Sequence, residues 1–199
     1  MFSPDDDEAL PGLSRPQFDP SVLELSLRVS RLPRGSLVLI DGASGTGKTT
    51  LASEVERVLS GVDVPLVLHM DDFYPGWDGL EAGIRNLHKW ILQPRADGQP
   101  VHWQRYDWLA ERFDGNFTLD TSRTVVIEGC GSFGLGAHVH ADLSFWVSAD
   151  DDARQARALS RDPSHDFAAH WDQWDAQFVA YVEREAPGSH ASIHVRCVG

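Results

Sequence analysis

The chain has 199 residues, 42% hydrophobic and 24% charged, the mix of an ordinary globular domain. Seventeen Lys and Arg stand against thirty Asp and Glu, a formal charge of −13, which argues against a nucleic-acid backbone or an anionic membrane surface as partner. No apolar run approaches the roughly 20 residues of a membrane helix, and the two cysteines, Cys130 and Cys197, have neither metal-ligand nor disulfide-framework spacing.

Residues 1–20 are rich in Asp and Pro and lack apolar periodicity, so a disordered acidic tail is expected there. The acidic start, with no apolar segment behind it, is unlike a secretory signal, and a cytoplasmic protein is expected. Residues 21–199 are then expected to form a single domain. The apolar positions of 21–32 predict a short helix ended by Pro33-Arg34-Gly35. Leu37-Val38-Leu39-Ile40 is a continuous β-type run, as in a strand covered on both faces. Leu51, Val55, Val58 and Leu59 form one helical stripe ending near Gly61.

Pro65–Leu68 predicts a second buried strand. Leu80, Ile84, Leu87 and Ile91 predict a helix stopped by Pro94. Residues 95–123 read as irregular, with Val101–Trp108 extended. Thr124–Ile127 and Leu143–Val147 predict two more buried strands. Residues 150–161 predict a helix carrying Arg154, Arg157 and Arg161. Phe167, Trp171, Trp174, Phe178 and Val182 predict a longer helix, and Ile193–Val195 a last strand. Alternating strands and helices give an α/β fold with a mainly parallel, five-stranded sheet and helices on both faces.

Gly42-Ala43-Ser44-Gly45-Thr46-Gly47-Lys48-Thr49 satisfies G-x-x-x-x-G-K-[ST] at every fixed position, between a predicted strand and a predicted helix. Glycines allow successive N–H groups to point at phosphate oxygens, and the helix N-terminus favours an anion. Lys48 is suited to the β- and γ-phosphates and the Thr49 hydroxyl to Mg²⁺, with Thr50 following in the first turn. ATP or GTP binding is the expectation.

Past the second strand, Asp71 and Asp72 stand where open α/β sheets gather their ligands. A carboxylate there can take a proton from a hydroxyl or hold Mg²⁺. The bland alternative is a pair of turn caps before Pro75-Gly76. Glu128 ends the third buried strand and is a candidate Mg²⁺ ligand; a strand-end salt bridge is the alternative.

The run Gly-x-Ser-Gly-x-Gly-Lys-Thr-Thr at 42–50, followed by Asp71-Asp72-Phe73-Tyr74, resembles the uridine kinase and nicotinamide riboside kinase group over roughly residues 36–185. The resemblance implies a P-loop NTPase fold of the nucleoside kinase type, with a small lid at about 150–166. It implies transfer of the ATP γ-phosphoryl group to a hydroxyl of a nucleoside-like acceptor. Asp71 is the implied general base, Asp72 and Tyr74 its neighbours on the acceptor side, and Glu128 joins Thr49 and Asp71 at Mg²⁺.

By the same resemblance Trp77 would stack on a base and Asp78 hold a ribose; packing and helix capping are the alternatives. Arg105-Tyr106-Asp107-Trp108 is similar to a segment lining the uridine kinase acceptor pocket, which makes Tyr106 and Asp107 candidates. Glu111 stands where uridine kinases have a His that reads the base, and the chain has Pro163-Ser164-His165 in place of the family's Arg-Gly-Arg. Arg154, Arg157 and Arg161 resemble the lid arginines; Arg154 would bind nucleotide, and Arg157 and Arg161 would face the transferred group. The expected partner is a small molecule, with the chain a monomer or homodimer. A kinase for another acceptor (a nucleoside monophosphate, a sugar acid or a pantothenate-like molecule) is an alternative, as is a nucleotide switch acting through a protein partner.

Overall fold

A computed structural model describes residues 17–60, 64–161 and 166–198. Along the chain lie strand β1 (Gln17–Asp19), helix α1 (Val22–Val29), β2 (Leu37–Asp41), α2 (Lys48–Leu59) and β3 (Leu66–His69). A short 3₁₀ turn at Met70–Asp72 precedes α3 (Leu80–Leu87) and α4 (Gln93–Ala96). Next come β4 (Val101–Asp107), β5 (Arg112–Leu119), β6 (Val125–Glu128) and β7 (Leu143–Ser148). Helices α5 (Asp151–Ser160) and α6 (Asp166–Glu185) and strand β8 (Ile193–Val198) complete the order.

The main sheet runs β1-β8-β7-β2-β6-β3. β8, β7, β2, β6 and β3 are mutually parallel, and β1 pairs antiparallel with β8. Successive residues of β2 serve opposite faces, as a period of two requires. Leu37 and Leu39 enter a core with Ile127, Trp174 and Phe178, and Val38 and Ile40 one with Leu25, Val29, Leu51 and Val55. Both faces are therefore covered, which is why β2 reads as an unbroken apolar run. Ile40 and His69 are both in register with Glu128, so the carboxyl ends of β2, β3 and β6 meet at one edge of the sheet.

Three expectations change. The tail does not reach residue 20: Gln17–Asp19 are a sixth strand, secured because the Phe18 ring is buried beside Gly47. Residues 1–16 lie outside the described residues. The helix from Leu80 is not stopped at Pro94. It continues through a π-helical turn at His88–Leu92 into α4, and Pro94 lies in the first turn of α4 rather than ending the helix. Residues 95–123 are not irregular: the segment expected to be extended is β4, and it pairs with β5 in a separate antiparallel hairpin. A register shift between Trp103 and Arg105 breaks its alternation, and most of β5 is exposed, so its pattern is hidden in the sequence.

Candidate active site

The loop from Gly42 to Gly47 joins β2 to α2 in backbone forms that suit glycine, with φ of 147° at Gly42, 78° at Gly45 and 96° at Gly47. A Cβ on Gly42 would lie 2.0 Å from the Val147 carbonyl oxygen, and one on Gly45 only 1.9 Å from that of Arg154. The loop is thus clamped between β7 and the backbone of α5. Lys48 Nζ donates to the Ala43 carbonyl (2.8 Å) and approaches Cys130 Sγ (3.6 Å), which lies beneath the loop. The Thr46 hydroxyl also donates to Ala43 O (2.8 Å), and Ser44 Oγ is 3.5 Å from Cys130 Sγ. Thr50 is half-buried in the first turn of α2.

Beneath this loop sits a residue whose role the sequence does not announce. Asp41, fully buried at the end of β2, accepts four hydrogen bonds. Oδ1 takes the amides of Gly42 (2.6 Å) and Gly131 (3.0 Å); Oδ2 takes the Phe133 amide (2.9 Å) and the Tyr181 hydroxyl (2.8 Å). Burial pushes its carboxyl up to about 6, against the pull of those hydrogen bonds.

Thr49 Oγ1 donates to Glu128 Oε1 at 3.2 Å, and His69 Nδ1 lies 2.7 Å from the same oxygen. The Glu128 carboxylate raises the His69 pKa. Burial works to raise that of Glu128, but the His69 hydrogen bond and the Lys48 charge hold it below its ordinary value. Asp71 lies in the 3₁₀ turn after β3. Its side chain can be reached by water, but protein crowds it and strips much of its hydration. That loss, with the nearby Glu128 charge, pushes its carboxyl up to about 6. Thr49, Asp71 and Glu128 offer only hard oxygen donors, and the Glu128 charge that makes Asp71 costlier to ionise is one a divalent cation would offset.

The hairpin packs against the turn that carries Asp71 and Asp72. Arg105 pairs with Asp72 (3.0 Å), and the Trp108 indole N–H donates to the Asp71 carbonyl (3.1 Å). Trp77 is packed among aromatic rings. His170 stacks on it at 4.4 Å and 3°, and Trp108 lies 4.9 Å away. The Asp78 carboxylate accepts from Gln173 Nε2 (2.6 Å), and the Trp77 carbonyl from Gln177 Nε2 (2.7 Å). The structure therefore brings Lys48, Thr49, Asp71, Asp72, Glu128 and the Trp77 loop to one edge of the sheet.

Other expected residues face elsewhere. Tyr74 points into the core, its hydroxyl donating to the Cys130 carbonyl (2.7 Å), so an acceptor contact for it is corrected to a packing role. Asp107 accepts from the amides of Leu109 and Ala110 (both 2.9 Å) and so caps the hairpin turn. Glu111 sits exposed in that turn at φ 51°. Tyr106 is buried against Trp108 and Phe113, with its hydroxyl toward Gly76. Arg154 pairs with Asp151 (2.7 Å) and Asp175 (2.9 Å), and Arg157 Nε donates to the Gly45 carbonyl (3.0 Å), so both tie α5 to its surroundings. Arg161 is exposed, and residues 162–165 of the expected lid lie outside the described residues. His69, Gln173 and Gln177 join the site unannounced; the helical spacing of 173 and 177 was the available signal.

No family model matches the chain. It is 28% identical over 146 residues to a uridine kinase of Lactobacillus johnsonii, spanning 65% of this chain and 68% of that protein. It is 24% identical over 149 residues to a uridine kinase of Lactobacillus helveticus, spanning 67% and 71%. Among solved structures, a possible uridine kinase from Bacillus stearothermophilus superposes with a TM-score of 0.61 at 18% identity, covering 87% of this chain and 96% of that one. The chain is thus similar in sequence to these two uridine kinases, and it shares the fold of the solved structure.

Proposed function

We propose that the protein is an ATP-dependent kinase that transfers the γ-phosphoryl group to a hydroxyl of a nucleoside or similar small metabolite. The observation that carries this is the meeting of three parts at one sheet edge: a complete phosphate loop, the Thr49–Glu128 pair, and Asp71. Loop amides and Lys48 bind the phosphates, with Lys48 exchanging its Ala43 carbonyl for phosphate oxygen. Thr49, Asp71 and Glu128 would hold Mg²⁺, which when bound offsets charge on the phosphate oxygens.

Asp71 takes the acceptor proton. A carboxyl raised toward neutrality is a stronger proton acceptor than an ordinary one and is still ionised at pH 7. Trp77 and Asp78 lie on the acceptor side, with the covered Trp77 face opening for a ring and the Asp78 carboxylate for hydroxyls. Arg157 and Arg161 face the transferred group after α5 moves, and Arg154 the nucleotide; closure then excludes water. The same reading takes the protein as cytoplasmic and as a monomer or homodimer.

ADP release from Mg-ATP is the test, across nucleosides, nicotinamide riboside, nucleoside monophosphates, sugars and pantothenate. Stimulation by a neutral or cationic hydroxyl compound is expected. Preference for a monophosphate would reject the acceptor class. Hydrolysis that ignores every small molecule and responds only to an added protein would favour a switch.

A further inference from the structure

Three polar side chains of α6 face the site in a row. Gln173, Gln177 and Tyr181 are spaced by four, so they share one face of the helix. Gln173 holds the Asp78 carboxylate. Gln177 donates to the Trp77 carbonyl, and its Oε1 accepts the Leu80 amide (3.3 Å). Tyr181, one turn further on, donates to Asp41 at the root of the phosphate loop. The stripe spans about 12 Å at 1.5 Å per residue. One end grips the loop at 77–80 and the other grips the carboxylate that fixes Gly42.

The strut is stiff. Trp174, Phe178 and Tyr181 are buried in the core along its length, and at its far end Glu185 accepts the Leu135 amide (2.7 Å). The Tyr181 hydroxyl keeps its proton, because burial and the Asp41 charge push its pKa well up. It is therefore a fixed donor. Asp41 has no slack either: both oxygens are filled by donors from three separate segments, Gly42, Gly131 with Phe133, and Tyr181. Any adjustment of the loop at Gly42 changes what Asp41 can offer Tyr181.

We infer that Asp41 and Tyr181 are positioning residues that couple occupancy of the phosphate loop to the order of the acceptor loop at 76–80 through α6. The inference rests on the nucleotide-binding reading of the loop and adds that the two half-sites are linked. By linkage the coupling is reciprocal, so an ordered acceptor loop would also tighten nucleotide binding. A kinase gains from this, since ATP is then held in a reactive arrangement mainly when the acceptor side is ordered.

Hydrogen exchange on the full chain, with and without the non-hydrolysable analogue Mg-AMPPNP, tests this without needing the acceptor. Amides of 42–50 report nucleotide binding, and those of Gly79 and Leu80 report the acceptor loop. In the wild type both sets should slow, the second by about fivefold, the low end of ordinary coupling. In Tyr181→Phe the 42–50 set should still slow while the response at Gly79 and Leu80 disappears. Gln177→Met cuts the strut at its half-exposed end, leaves the core intact, and should give the same loss.

Protection at 42–50 without any change at Gly79 and Leu80 in the wild type would overturn the coupling alone. So would a full response retained in both variants. A wild type with no protection at 42–50 would overturn the nucleotide reading and the coupling with it.

Discussion

In the proposed function the chemistry rests on Asp71 and nucleotide binding on the phosphate loop, and the two separate in experiment. Asp71→Asn should lower acceptor-dependent ADP release by about a hundredfold to ten-thousandfold while Mg-ATP still binds by calorimetry, with no more than the severalfold loss that one weakened Mg²⁺ oxygen brings. Gly45→Ala should weaken nucleotide binding and lower the melting temperature, because the new methyl has no room beside the Arg154 carbonyl and φ is 78°. Asp41 makes a pH prediction. Its folded pKa of about 6 exceeds the ordinary 3.8, so the folded state holds the proton more tightly. Its contribution is fully present below pH 3.8 and is lost as pH rises through 6, a change of about 3 kcal/mol. The stability gap between wild type and Asp41→Asn, read by urea unfolding, should therefore narrow from pH 4 to pH 7; a gap that widens would contradict this. Lys48 and Thr49 were legible because the phosphate loop fixes residue types at fixed spacing. Asp41 was not, because its partners at 131, 133 and 181 are far away in sequence.

Among the elements, β4 was legible as an extended segment, while its partner β5 and the hairpin they form were not. The hairpin meets the turn at Met70–Asp72 through Arg105–Asp72 and Trp108–Asp71. Trp108→Phe keeps an aromatic ring against Trp77 but removes the indole donor from the Asp71 carbonyl. The expected result is a severalfold loss in kcat/KM for the acceptor with nucleotide affinity unchanged, and weaker nucleotide binding would contradict it. β1 is the other element that the sequence masks, since three residues of strand after an acidic stretch carry almost no periodicity. Phe18→Ala should cost about 3 kcal/mol in urea unfolding, and an exposed-site cost near zero would show that β1 is not docked. The buried strands were readable for the opposite reason. Covered on both faces, they leave a run of β-branched and aliphatic residues that no surface element matches.

At the scale of the molecule, five parallel strands carry the phosphate loop, Asp71 and Glu128 to one sheet edge, and α6 runs from the loop at 76–80 back to Asp41. The parallel sheet and the phosphate-binding end were legible from residue type and spacing. The surroundings of the expected acceptor residues were not, because Tyr74, Asp107 and Glu111 acquire packing, capping and turn roles from contacts that spacing does not encode. The central claim is transfer to a small hydroxyl compound, and following the γ-phosphate tests it directly. With γ-³²P-ATP, Mg²⁺ and the acceptor that best stimulates ADP release, the account predicts that label moves to that compound in the wild type and not in Asp71→Asn. Label found only in inorganic phosphate, at a rate indifferent to acceptor and to Asp71→Asn, would contradict it.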